Sequence, residues 1–302
     1  MSDFGRKILF GDDNGKDFTN ESLPKTRKKQ FMYLVKTRLH KLFYINLLVL
    51  FFAIPLMLWH TLCLTYSFSF GEITVENIEE YIYFLIYYKS IPNVLLTILA
   101  LLGIAGGLHT IRLISWGEPI SLPKTFFRGI KLNLKQFSAI GLVFGIVFAL
   151  YDLAVTMVSY SSGDSPFIIG LSVCGLLVSA IFMLSIAVYM LTLCSTYNIK
   201  FATALKSGIV LFVKNIFSTV KLLCITVLPS VVIFAIGNIY LDLIAQVILG
   251  LGGFSYSILK VSLYTNEFYD EYINIKDYPE FYRKGLASLD DGLYSGVSDV
   301  EN

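Results

Sequence analysis

Ionisable side chains inside apolar segments are the residues of this sequence most able to do chemistry. His60 and Asp152 each lie within a long apolar stretch. At about 1.5 Å of helix per residue, Asp152 falls in the outer third of its segment and His60 at a similar height. A hydrogen-bonded His60–Asp152 pair would make a proton or substrate site. The alternative is that both side chains lie at the outer headgroup level and are hydrated separately.

Other ionisable residues near the ends of apolar segments have simpler interpretations. His109 and Arg112 lie one turn apart near the cytoplasmic end of the second segment, where both side chains can snorkel to the interface. Lys260 is interpreted in the same way. Asp242 begins the sixth segment, where a carboxylate stabilises the positive end of the helix dipole, so we predict a capping role.

Motifs for nucleotide binding, zinc proteolysis or a serine nucleophile are absent from the sequence. The three histidines are widely separated, and the four cysteines have no CxxC spacing, so a metal or redox site is not expected. We interpret the cysteines as small apolar side chains. The sequence therefore predicts a protein that is not an enzyme and that has no cofactor. The cysteines are Cys63, Cys174, Cys194 and Cys224.

A basic stripe lies between the second and third apolar segments. Its members are spaced by four, three and four residues, which places them on one face of a helix. They are Lys124, Arg128, Lys131 and Lys135. A second face is apolar and consists of Phe127, Ile130, Leu134 and Phe137. This pattern predicts a helix that lies at the inner interface against anionic headgroups. A docking surface for a cytoplasmic partner is the alternative.

The same pattern occurs a second time. Residues 129–136 (GIKLNLKQ) align without gaps on residues 208–215 (GIVLFVKN), and each copy precedes a membrane hairpin. Lys206 and Lys214 form the corresponding stripe. We therefore predict basic amphipathic interfacial helices between the hairpins.

The composition requires a membrane. Hydrophobic residues make up 55% of the 302 residues, charged residues only 15%, and the mean hydropathy is +0.67. Soluble domains carry about 25% charged residues. Six stretches are long enough to span a bilayer. They are residues 42–66, 91–114, 137–160, 166–194, 219–240 and 242–263. We interpret the aromatic run 81–88 as a separate interfacial helix. The net charge of +2 does not favour nucleic acid as a partner.

Basic residues alternate between the two sides of these spans. Ten Lys or Arg precede the first span, whereas Lys89 is the only one in the first loop. This distribution predicts a multi-pass protein with both termini in the cytoplasm. The predicted organisation is a basic N-terminal segment (1–41), a six-span domain (42–265) and an acidic, aromatic cytoplasmic tail (266–302).

Two glycine clusters lie in the second and sixth spans. Gly103, Gly106 and Gly107 form the first, and residues 250–253 (GLGG) contain the second. We predict that both allow close helix packing. An unwound segment that binds a substrate, as in transporters with broken helices, is the alternative.

Residues 125–136 (TFFRGIKLNLKQ), followed by Gly141, resemble the central signature of the YesL family of bacterial membrane proteins. Asn46-Leu47-Leu48, followed by Pro55, is similar to the family's first-helix pattern, and residues 204–222 to its third block. The chain departs from the family at residues 56–61 (LMLWHT), where members usually have a Gly-Pro-Ala/Ser-Thr-Ala-Ala-like motif. It is therefore identified as a distant member.

The family is one of unknown function, so the resemblance transfers no catalytic residue. It implies a bacterial plasma-membrane protein, and one whose gene often lies near carbohydrate uptake and polysaccharide breakdown systems. We expect a non-enzymatic accessory component associated with carbohydrate uptake, with the lipid bilayer and a sugar permease complex as partners. The alternative is a transporter or channel in its own right.

Overall fold

A computed structural model describes residues 23–71, 77–160, 166–197, 199–226 and 238–287. The predicted fifth span, 219–240, lies partly outside these ranges. So do most of the N-terminal segment and the end of the tail.

Helices make up nearly all of the described chain, and these ranges contain no strand. The helices are α1 (Arg27–Thr37), α2 (Leu39–Ser67), α3 (Ile78–Ser115), α4 (Leu122–Tyr160), α5 (Pro166–Tyr197), α6 (Phe201–Lys214), α7 (Ile216–Thr226), α8 (Ile239–Ile248) and α9 (Phe254–Tyr269). A π-helical turn, Leu249–Gly253, joins α8 to α9, and short helical turns continue α9 to Phe281.

Five helical segments of the described chain are long and apolar enough to cross a membrane. A sixth is obtained if α6 and α7 form one span, although they meet at a bend of 101°. The prediction of an all-α bundle with about six spans is therefore confirmed.

Two predicted interfacial helices are parts of longer helices instead. The basic segment before the third span is the start of α4, which continues without a break for 39 residues. At about 1.5 Å per residue, α4 is nearly 60 Å long, about twice the hydrocarbon thickness. The aromatic run 81–88 lies in α3, whose π-helical turn Phe84–Ser90 leads directly into the second span.

The first glycine cluster places α3 against its neighbours. A Cβ at Gly103 would lie 2.6 Å from Phe52 of α2, and one at Gly106 would lie 2.8 Å from Phe126 of α4. At Gly107 the nearest atom belongs to Ile258 of α9, at 2.9 Å. Close packing is confirmed for this cluster, because larger side chains would separate α3 from three helices at once.

The bundle has two polar ends. At one end, Arg27 of α1 forms an ion pair with Asp270, which follows α9, so the N-terminal helix and the tail meet there. At the other end, Thr61 of α2 donates a hydrogen bond to Asp242 of α8. We call these the Arg27 end and the Asp242 end. The predicted domain boundary at 265 falls inside α9, and the described tail packs on the bundle.

Candidate functional site: a buried polar cluster

Asp242 is the most deeply buried carboxylate described, with 1% of its surface exposed. It lies in the first turn of α8, within a segment apolar enough to cross a membrane. Asn238, and not Asp242, is the N-cap residue, although Asp242 does lie in the first turn, where the predicted interaction with the helix dipole applies. The side-chain oxygen of Asn238 accepts from the backbone N–H groups of Tyr240 and Leu241. The Asp242 carboxylate is therefore directed at α2.

Three polar side chains surround this carboxylate. Thr61 Oγ1 and Gln246 Nε2 donate to Asp242 Oδ2 at 3.1 and 3.0 Å, and Gln246 Nε2 also donates to Thr61 Oγ1 at 2.6 Å. His60 Nε2 lies 3.8 Å from Asp242 Oδ1. Within the described chain, no hydrogen-bond donor reaches Asp242 Oδ1, although this atom is buried. We call these four residues the Asp242 cluster.

An ion pair lies in the same region. Lys89 Nζ of α3 is 2.7 Å from Asp152 Oδ2 of α4. Asp152 is thus paired with Lys89 and not, as in the predicted pair, with His60. Electrostatic interactions nevertheless link His60 to Asp242, Lys89 and Asp152. The two residues predicted from the sequence do lie in one polar region, which four helices build.

Lys89, Thr61 and Gln246 were missed by the sequence reasoning. Gln246 lies four residues after Asp242, so both share one helix face in an otherwise apolar segment. This spacing could have predicted from the sequence that Gln246 belongs to the same polar site as Asp242. Lys89 was visible as the single basic residue of its loop, but its partner on α4 depends on tertiary packing.

A break in the helical backbone lies further along the same segment. Gly252, between α8 and α9, has non-helical dihedral angles, φ 162° and ψ −4°. The fully buried Asn46 of α2 satisfies the interrupted backbone. Its Nδ2 donates to the carbonyl oxygens of Leu249 and Gly250, and its Oδ1 accepts from the Ser255 N–H at 3.0 Å. The close-packing prediction is wrong for Gly252, since no atom lies within 4 Å of a Cβ built there.

The predicted basic stripe is exposed along its whole length. Lys124, Arg128, Lys131 and Lys135 all lie on the surface of α4, and none forms an ion pair with the described residues. Lys206 is also exposed, and Lys214 Nζ lies 4.6 Å from the centre of the Tyr272 ring.

The packed face of this part of α4 differs from the predicted one. Phe127 and Leu134 are exposed, whereas Phe126 and Phe137 are fully buried. Gly129 also faces the core, because its Cβ would lie 2.6 Å from His109. The packed face is therefore rotated relative to the prediction, although the basic stripe remains outside it.

The snorkelling predicted for His109 and Arg112 is wrong. Both are directed into the protein, where one guanidinium nitrogen of Arg112 donates to the Ser195 carbonyl near the end of α5 and another contacts His109 Nδ1 at 3.0 Å. Lys260 lies over the Phe31 ring of α1, 4.8 Å from its centre.

At the Arg27 end, both oxygens of the buried Asp270 carboxylate accept hydrogen bonds. Arg27 NH2 donates to Asp270 Oδ2 at 2.6 Å, while Asn274 Nδ2 and the Arg283 N–H donate to Oδ1. Gln30 Nε2 joins α1 to the Ser115 carbonyl at 2.6 Å. This network connects the N-terminal helix, the end of α3 and the tail.

The Asp242 cluster has the chemistry of a proton site more than that of a metal site. Gln246 directs its amide nitrogen at the carboxylate, and a nitrogen donor cannot bind the hard cations that prefer oxygen ligands. Within the described ranges, no group of three or more His, Cys, Asp or Glu residues is arranged to bind a metal. A carboxylate beside an imidazole can instead take up and pass on a proton.

No family model, no curated protein and no solved structure matches the chain. The resemblance to the YesL family stays a prediction.

Proposed function

We propose that the protein is a transporter of the bacterial plasma membrane in which the Asp242 cluster takes up and releases a proton. The observation that carries this proposal is the buried Asp242 carboxylate, one oxygen of which has no donor among the described residues. Burying such a group without satisfying it is costly, so ionisable residues at membrane depth are retained mainly for function.

The broken helix supports the same proposal. Transporters often form their sites near discontinuous helices, because an interrupted backbone can change conformation without breaking a continuous ladder of hydrogen bonds. Gly252 interrupts the same segment that carries Asp242, and Asn46 holds the interruption in place. Movement at this break would alter access to the cluster. The positive-inside pattern predicts cytoplasmic termini, which would put the Asp242 end on the outer side.

The test uses the purified full-length protein as the only protein in liposomes. A potassium diffusion potential drives proton entry, and a trapped pH-sensitive dye reports it. We expect the wild type to acidify the lumen faster than empty liposomes and Asp242→Asn to behave like empty liposomes. Asp277→Asn is the matched control, because Asp277 is an exposed carboxylate at the opposite end of the same segment. Equal rates for the wild type and empty liposomes would refute the proposal.

The accessory role in carbohydrate uptake is the second candidate, and it is supported by the exposed stripe on α4. Four cations without ion-pair partners in the described chain form a surface that anionic headgroups or an acidic partner such as a sugar permease could contact. Only the resemblance to the YesL family connects the protein with carbohydrate uptake. In this proposal, too, the protein catalyses no reaction.

Crosslinking in intact membranes followed by purification tests this second candidate. A sugar permease should co-purify with the wild type and be lost when the four stripe residues are changed to Gln. The matched control changes Lys28 and Lys29, which are exposed on α1 and belong to neither predicted stripe. Recovery of no permease, or equal recovery with the stripe variant, would contradict the accessory role.

A further inference from the structure

The Asp242 cluster and the Lys89–Asp152 ion pair differ in their exposure at the Asp242 end. The side chain of Asp242 is 1% exposed, that of His60 27% and that of Asp152 33%. His60 interacts electrostatically with Asp242 of α8, Lys89 of α3 and Asp152 of α4. Exposure thus increases from Asp242 through His60 to the ion pair, and charged groups of three helices act on the imidazole.

Contacts on both sides of His60 support this arrangement. Cys63, which shares a face of α2 with His60, also interacts electrostatically with Lys89 and Asp152, so the ion pair acts on that face. On the other side, His60 Nε2 lies 3.8 Å from Asp242 Oδ1, the oxygen that no donor of the described chain reaches. A movement of about 1 Å would give a hydrogen bond, and a proton on Nε2 would supply the donor.

The packing of α2 on α3 determines which residues lie at the level of His60. The two helices run antiparallel, and a Cβ at Gly103 of α3 would lie 2.6 Å from Phe52 of α2. Asn93 precedes Gly103 by about 15 Å of helix, and His60 follows Phe52 by about 12 Å. Asn93 and His60 are therefore at nearly the same height in the bundle.

Three buried polar atoms near this height have no hydrogen-bond partner among the described residues. They are Nε1 of Trp59, Oγ of Ser90 and Oδ1 of Asn93. The first is a donor, the last is an acceptor, and the hydroxyl can be either. Buried polar groups that lack a protein partner usually bond to ordered water. Water between α2 and α3 would satisfy these groups and extend towards the imidazole.

We propose that His60 passes protons to and from Asp242 over water bound by these three groups. The partly exposed Lys89–Asp152 pair is the entrance to this water. A proton from the water binds Nδ1 of the neutral imidazole. The N–H bond at Nε2 then breaks while an O–H bond forms at Asp242 Oδ1, which leaves a neutral imidazole and a carboxylic acid. Release reverses both transfers. This route rests on the proposed function, since it leads to the same proton site.

The test is proton entry into liposomes that contain full-length His60→Gln. Glutamine keeps a donor for Asp242 but cannot carry a proton, so the rate should fall about a hundredfold, the usual loss for a missing general acid–base group. Free imidazole, at the same concentration on both sides of the membrane, should restore entry in His60→Gln and not in Asp242→Asn. His40→Gln is the matched control, because His40 lies at the other end of α2. It should keep the wild-type rate.

Asn93→Leu tests the water, because leucine offers it no partner and should slow proton entry severalfold. Asn93→Ser keeps a hydroxyl and should give an intermediate rate. If entry depends on Asp242 but is unchanged in His60→Gln or in Asn93→Leu, the route is overturned and the proposed function stands. A slow His60→Gln that imidazole does not restore would make His60 a structural residue and would also overturn the route. No proton entry with the wild type would instead refute the proposed function itself.

Discussion

Asp270 and Asp242 are buried carboxylates near opposite ends of the same apolar segment, Ile239–Asp277. Asp270 has donors on both oxygens and a buried cationic partner, Arg27. Among the described residues, Asp242 has donors on one oxygen only, and it lies 3.8 Å from the imidazole of His60. A saturated carboxylate holds a structure together, whereas an unsaturated one is available to a proton. The comparison thus separates a structural end from the end at which we propose that a proton binds.

Asp270→Asn should give the largest loss of stability. It removes the charge that compensates buried Arg27, so we expect the free energy of unfolding to fall by about 3 kcal/mol. Denaturation in mixed micelles measures this change. Asp277→Asn, an exposed neighbour, should leave the stability unchanged. A loss as small as that of the control would mean that the Arg27 network does not hold the two termini together.

Asn46→Leu should have the next largest effect. The Leu249 and Gly250 carbonyls and the Ser255 N–H would lose the hydrogen bonds from Asn46, at a cost of about 2 kcal/mol. The same denaturation measurement applies, with Leu47→Ala on the exposed face of α2 as the control. An unchanged stability would show that the break does not need Asn46.

Asp242→Asn should change the stability by less than about 1 kcal/mol, because asparagine keeps an acceptor for Thr61 and Gln246 and removes a buried charge. Proton entry into liposomes should nevertheless fall to background. This variant is compared directly with Asp270→Asn. Equal destabilisation by the two changes would remove the distinction between the two ends.

Lys89→Gln should have the smallest effect on stability. The Lys89–Asp152 pair is partly exposed, so its loss should cost about 0.5 kcal/mol. Unfolding in mixed micelles reports this cost, and Lys131→Gln, from the unpaired stripe, is the control. If Lys89→Gln lowered the free energy of unfolding more than Asn46→Leu does, the Lys89–Asp152 pair would be a main structural contact of the bundle.

Hydropathy and segment length predicted the all-α bundle. In lipid no water is present to bond the backbone N–H and C=O groups, and in a helix these groups bond to each other. Helix continuity was not predictable from the repeat. Gln136 lies within continuous α4, whereas the aligned Asn215 ends α6 and bends the chain by 101°. The Asn215 side chain donates to the Leu211 carbonyl, and such local bonds compete with the helix.

Glycine clusters of similar composition also serve different purposes. Gly103 and Gly106 are in close contact with neighbouring helices, whereas Gly252 has open space beside it. The difference depends on which helix lies opposite, and composition does not report that. In the candidate site, His60 and Asp152 were identified as intramembrane polar residues. Their partners Asp242 and Lys89 come from other helices and became evident only in three dimensions.

Infrared spectroscopy of the reconstituted protein during acidification tests directly whether Asp242 binds a proton. A protonated carboxylic acid has a carbonyl band distinct from that of carboxylates. We predict that a band of a buried acid appears in the wild type and in Asp152→Asn and is lost in Asp242→Asn. A band that persists in Asp242→Asn, or no band in the wild type, would contradict proton binding at Asp242.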